Sequence, residues 1–156
     1  MPPTLHAFVD AIGQLNETFP CPDLVLRVSE LYDVRKEYGT KFPNSDSPGV
    51  YALVADDEIE VLRIGMAQTL GSRLASYFNW ADREQGRART RDLTYNDVQY
   101  LVTIPVPVNR AFEVPSIEAF LLMRFRDPKP RLNVRIGRAP LDDLDDIASG
   151  RAGDGV

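Results

Sequence analysis

Residues 50–65, "VYALVADDEIEVLRIG", place two short apolar runs on either side of three acidic residues. "VYALVA" and "IEVLRIG" are strand-like, "DDE" is a polar turn, and the three together read as a β-hairpin. A hairpin at this point commits the surrounding segments to covering or extending a sheet. "VQYLVTIPVPV", residues 98–108, reads as a third strand, with Pro105 and Pro107 indicating a sheet edge or a strand end. "LGSRLASYFNW", residues 70–80, is an amphipathic helix with Leu70, Leu74, Tyr77 and Phe78 on one face, and "SIEAFLLMRFR", residues 116–126, is an apolar helix ended by "DPKP". The order after residue 48 is therefore β-β-α-β-α. This is the order of a small α+β core.

Ahead of it, Leu5, Phe8, Val9, Ile12 and Leu15 recur at helical spacing behind Thr4 as a cap. A second helix is expected over "SELYDVRKEYG", from Ser29 to Gly39. "KFPNSDSPG", residues 41–49, is rich in turn residues and marks a boundary. At 156 residues the chain suits one core. The expected organisation is an acidic helical extension over 1–47 packed on the core, the main domain over 48–138, and an acidic, partly disordered tail over 139–156.

Charge follows the same division. Residues 1–62 carry a balance of -7, residues 63–138 of +6, and residues 139–156 of -4. A basic centre can meet phosphates even though the whole chain is acidic, because the local field governs binding. A solvated mixed-charge surface accounts for the charges equally well. No apolar run reaches the roughly 18 residues that would cross a bilayer, and the N-terminus lacks the features of a secretory leader. The single cysteine, Cys21, suits a reducing cytoplasm. Cys21 and His6 are the only thiol and imidazole, so a bound metal would take oxygen ligands, which favours magnesium or manganese over zinc.

Four residues stand out as chemistry-bearing. Taking about 100° per residue, Ile117, Leu121, Phe125 and Leu122 fall at roughly 0°, 40°, 80° and 140°, and Glu118 at roughly 100°, inside that apolar stripe. A carboxylate there needs a cation or hydrogen-bond donors; a salt bridge to an arginine and a functional role both satisfy that need. Arg73 lies at the border of its helix's apolar face, where it either snorkels or offers a bidentate fork to a phosphate. Tyr51 at a strand start and Asn133 after "KPRL" have packing and turn roles as their ordinary readings.

"GVY" at 49–51, "RIG" at 63–65, "LGSRL" at 70–74, "SIEAFLL" at 116–122 and "KPRLN" at 129–133 together resemble the GIY-YIG nuclease superfamily. The likeness is greatest to the nuclease domain of the bacterial nucleotide-excision-repair incision subunit, in which "YVGKA" leads into "LKKRLSSYF". It covers roughly residues 48–135. The resemblance implies an α+β fold and a DNA endonuclease, with RNA as the alternative substrate, whose site lies on the concave face of a small three-stranded antiparallel sheet flanked by helices. It implies a single Mg2+ or Mn2+ held by Glu118, Tyr51 as general base, Arg73 as clamp on the scissile phosphate, and Asn133 orienting groups around them. Two positions depart from the pattern: Arg63 replaces the second tyrosine, and Met66 replaces the incision subunit's lysine. With a pKa above about 12, Arg63 cannot accept a proton. The resemblance then leaves Tyr51 as the base, with Arg63 supplying the charge lost at Met66.

The arginine-rich run "REQGRARTRD" offers Arg83, Arg87, Arg89 and Arg91, with Arg63 and Arg73, as contacts to nucleic-acid phosphates, and Tyr77 or Trp80 as stacking surfaces. The departures at Arg63 and Met66 favour a different outcome, a non-catalytic nucleic-acid-binding module. A protein partner or self-association through the acidic extensions and "LDDLDD" is the third reading.

Overall fold

The computed structural model describes residues 2–37, 40–78 and 97–133. The chain is an α+β fold around a four-stranded antiparallel sheet with strand order β1-β4-β2-β3. Helix α1 spans Leu5–Thr18, followed by β1 (Tyr32–Asp33), β2 (Gly49–Ala55), β3 (Val61–Ala67), α2 (Leu70–Tyr77), β4 (Val98–Pro105) and α3 (Val114–Arg124).

The hairpin forms as its sequence predicts, with β2 and β3 paired from Gly49↔Ala67 to Val54↔Val61. Asp57 closes the turn by accepting hydrogen bonds from the Ile59 and Glu60 amides at 2.8 and 3.0 Å. Every residue of β2 is buried, because β3 and β4 flank it and helices cover both faces. Burying one aliphatic side chain of this size contributes about 1.5–3 kcal/mol, so β2 is the strand that anchors the sheet. Alternation along it divides the core. Tyr51 and Leu53 join Leu62, Leu70, Leu74, Tyr77 and Leu101 on the α2 side. Val50 and Ala52 join Phe8, Ile12, Ile64, Ile104, Ile117 and Leu121 on the side of α1 and α3.

Three expectations need correction. The sheet has a fourth strand where a second helix is predicted: Tyr32 and Asp33 pair with Leu101 and Tyr100 of β4. The Asp33 carboxylate accepts from the Arg35 and Lys36 amides at 2.9 Å each, an Asp turn that competes with helix formation, while the Val34 amide donates to the Gln99 carbonyl. β4 is consequently an interior strand, and Pro105 marks its end, opposite Gly49. Val9, placed on the apolar face of α1 by its spacing, is 43% exposed.

The N-terminal segment is built into the sheet's surroundings. Thr4 caps α1, accepting from the Ala7 amide at 3.1 Å. Leu5 donates to the Ile59 carbonyl and Val61 donates to the Pro3 carbonyl, so residues 3–5 cover the outer edge of β3. Pro115, at the first turn of α3, lacks only an N–H that the helix would leave unpaired. Beyond α3, a short 3-10 turn over Arg131–Asn133 returns to the same edge.

Candidate active site

Register decides which side chains can meet. Tyr51 lies opposite Gly65, and Leu53 opposite Arg63, so Tyr51 and Arg63 share the face covered by α2. Gly65 matters for a specific reason: a Cβ there would collide with the Tyr51 hydroxyl and ring. Without that atom, the Tyr51 ring lies across β3 towards the sheet edge. There its hydroxyl is 2.8 Å from the Tyr77 hydroxyl, contributed by the last turn of α2.

Two guanidiniums flank this phenol pair. Arg63 Nε donates to the Tyr77 hydroxyl at 3.1 Å, and its Nη1 donates to the Leu132 carbonyl at 3.0 Å. Arg73 Nε donates a longer bond, 3.4 Å, to the Tyr51 hydroxyl, and its Cζ stands 5.0 Å from the centre of the Tyr77 ring. The group is buried: Tyr51 is 0%, Arg63 4%, Tyr77 6% and Arg73 8% exposed.

Arg73 is the unusual member. A buried ion carries a desolvation penalty that is normally offset by an opposite charge. Among the described residues no carboxylate pairs with Arg73; it has a phenol oxygen and an aromatic face. At 8% exposure its guanidinium is largely enclosed. Arginine stays charged in proteins, which makes Arg73 a cationic group beside a buried hydroxyl pair.

Burial pushes the Tyr51 phenol well above its ordinary value of 10.0; Tyr77 adds to the shift, and Arg73 and Arg63 oppose it without cancelling it. At neutral pH Tyr51 is therefore a neutral hydroxyl. The sign of its linkage to folding follows. Its folded pKa exceeds the unfolded one, so its stabilising contribution is complete below about pH 10 and declines as pH rises through the folded value. Urea midpoints measured between pH 9 and 11 should fall less steeply for Tyr51→Phe than for the wild type.

Asn133 occupies the edge of the site. Its carbonyl accepts from the Ile64 amide at 2.8 Å and its amide donates to the Ile64 carbonyl at 2.9 Å. It pairs with β3 as another strand would, covering an edge that would otherwise be open. Glu118 is half-buried on α3, beside the buried face of Val114, Ile117 and Leu121. That face packs on the opposite side of the sheet from Tyr51.

The structure thus gathers Tyr51, Arg63, Arg73 and the 131–133 turn from four separated segments. Arg63 lies within a strand and is almost wholly buried, rather than standing at a solvent-facing strand end. Met66 pairs with Val50 and packs among the apolar side chains of the other face, so the charge at Arg63 enters the site from a different side. Tyr77 is a buried hydrogen-bonding partner instead of a surface on which a base could stack. Its helical spacing with Leu70 and Leu74 signalled burial, but nothing local signalled its hydroxyl contacts. Arg83, Arg87, Arg89, Arg91, Trp80 and the "LDDLDD" tail lie outside the described residues.

Among the described residues, no three His, Cys, Asp or Glu side chains converge as a metal-binding group. A single carboxylate suits magnesium, which keeps several waters and binds through one or two carboxylates plus substrate phosphate. Glu118 fits that donor chemistry. Among the described residues no helix is long and apolar enough to cross a membrane. No protein-family model and no curated protein matches the chain.

Proposed function

We propose that the protein is a divalent-metal-dependent endonuclease of the GIY-YIG type that hydrolyses phosphodiester bonds in DNA in the cytoplasm. The observation that carries this reading is Arg73, a buried guanidinium without a described carboxylate partner, held beside the Tyr51–Tyr77 hydroxyl pair. A phosphodiester is the anion that such a cation lacks. The arrangement of Tyr51, Arg63, Arg73 and Asn133 around one edge of β3 supports the same reading.

Arg73 grips the scissile phosphate and neutralises charge as it develops. Water attacks phosphorus and the leaving oxygen departs, giving a terminal phosphate and a hydroxyl. Tyr51 takes the proton of the attacking water at its oxygen as its own proton passes through the hydrogen-bonded Tyr77 hydroxyl to solvent, and Arg73 and Arg63 both favour negative charge on the phenol oxygen during that transfer. Asn133 holds the edge of β3 in place. Glu118 would be the protein ligand of Mg2+ or Mn2+, and the ion would supply positive charge to polarise a phosphoryl oxygen and stabilise the leaving group.

Supercoiled plasmid and single-stranded oligonucleotides, each with magnesium or manganese, test the proposal directly. Wild-type protein should nick or cut DNA. Glu118→Ala should lower the rate at least about a hundredfold while leaving the fold intact, as expected when a group that stabilises transition-state charge is removed. Equal cutting by wild type and Glu118→Ala would sink the assignment of Glu118. A second reading, a nucleic-acid-binding module that no longer cuts, is favoured by the burial and protonation of Tyr51. Salt-dependent binding without metal-dependent cleavage would establish it.

A further inference from the structure

We infer that Arg63 is the positioning residue of this site, holding the Tyr77 hydroxyl against that of Tyr51 and tying both to the 131–133 turn. The inference rests on the nuclease reading for its catalytic consequence and on geometry for the rest. Arg63 uses different nitrogens for acceptors on different segments: Nε for Tyr77 at the end of α2, and Nη1 for the Leu132 carbonyl. At 4% exposure it has little surface to offer a nucleic acid. A guanidinium carries five N–H donors in a rigid fork, whereas a tyrosine hydroxyl has one donor. No tyrosine at position 63 could donate to both acceptors.

The consequence reaches Tyr51 through its partner. The Tyr51 hydroxyl meets Tyr77 at 2.8 Å and Arg73 only at 3.4 Å, so the shorter of these two contacts runs through the tyrosine that Arg63 holds. The Leu132 bond adds to the paired Asn133–Ile64 bonds, so the turn is fastened to β3 through both a side chain and the backbone of that strand. Arg63 is therefore more than a residue left where the second tyrosine of the motif has been lost. It joins three segments by hydrogen bonds that the motif tyrosine could not make.

Arg63→Met, Arg63→Lys and Arg63→Tyr, compared with wild type, test this by cleavage kinetics and by NMR of 13Cζ-labelled tyrosine. Arg63→Met should lose about tenfold to a hundredfold in kcat, with KM within about threefold of wild type. Millimolar guanidinium should restore part of the loss. Arg63→Lys, which keeps the charge and can reach one acceptor at a time, should fall between the two. Arg63→Tyr, although it restores the motif, should stay below wild type. Wild-type kcat in Arg63→Met, or a higher kcat in Arg63→Tyr, would overturn the inference.

The NMR measurement is independent of cleavage. The Tyr77 Cζ resonance should move in Arg63→Met and return towards its wild-type position with guanidinium; an unmoved resonance overturns the inference. If wild type cuts no substrate with either metal, the nuclease reading fails, and the Tyr77 resonance still decides the role of Arg63.

Discussion

Arg73→Met is expected to abolish cleavage while leaving the protein as stable as wild type or more so. The two halves of this result have one cause. Arg73 is over nine-tenths buried, and among the described residues no carboxylate offsets its charge. Replacing a buried ion by an apolar side chain of similar volume is often neutral or stabilising by about 1–4 kcal/mol. Methionine keeps much of the packing against Tyr77 and gives up one long hydrogen bond to Tyr51. On the proposed nuclease reading the variant would lack the cation at the phosphate, and removing a single preorganised donor of this kind costs about 10²–10³ in rate. Urea unfolding and plasmid cleavage measured on the same preparations check both halves. A structural arginine would behave in the opposite way, with Arg73→Met several kcal/mol less stable and its residual folded fraction still cutting at the wild-type rate.

Gly65→Ala should cost stability although it adds only one carbon. In strands alanine generally outperforms glycine, because glycine gives up more conformational freedom on folding. Here the order should reverse. The new methyl would occupy space taken by the Tyr51 hydroxyl and ring, and Tyr51 is wholly enclosed in the α2-side core. Overpacking a close-packed site costs about 1–3 kcal/mol. Moving the ring would also break the 2.8 Å bond to Tyr77, so activity should fall with stability.

A double-mutant cycle isolates the mechanism. Tyr51→Ala leaves a cavity into which a methyl at position 65 can fit. Gly65→Ala should therefore be much less damaging on that background, with a coupling of about 1 kcal/mol or more. Strict additivity would mean that Gly65 is required for something other than the passage of the Tyr51 ring.

The elements that could be read from sequence are those whose causes are local. The hairpin announces itself through two apolar runs around an acidic turn, and Asp57 closes that turn with its own neighbours. Thr4 caps α1 across three residues. In both cases the stabilising partner is only a few positions away. Strand β1 was hidden because its partners are remote: Tyr32 and Asp33 are held by Leu101 and Tyr100, and that pairing, with the Asp33 turn beside it, outweighs the helical character of "SELYDVRKEYG". The interior position of β4 followed from the same omission.

The candidate site divides along the same line. Spacing was enough to mark Arg73 and Glu118, since a guanidinium or carboxylate bordering an apolar face is visible on a helical wheel, whereas Tyr51 and Asn133 were picked out only through the resemblance. What each one touches was not visible. Residues 63 and 66 stand three apart on one strand, and therefore on opposite faces. Only the Leu53↔Arg63 register reveals that Arg63 faces the tyrosines while Met66 packs with Val50. The sequence by itself determined the hairpin, the helices around it and the kinds of groups able to do chemistry. Tertiary structure alone decided that Gly65 opens a path for Tyr51, that Tyr77 receives it, and that Arg63 binds both Tyr77 and a carbonyl 69 residues away. The physical reason is that strand register and the approach of distant segments set side-chain distances, and neither is encoded in any short run of residues.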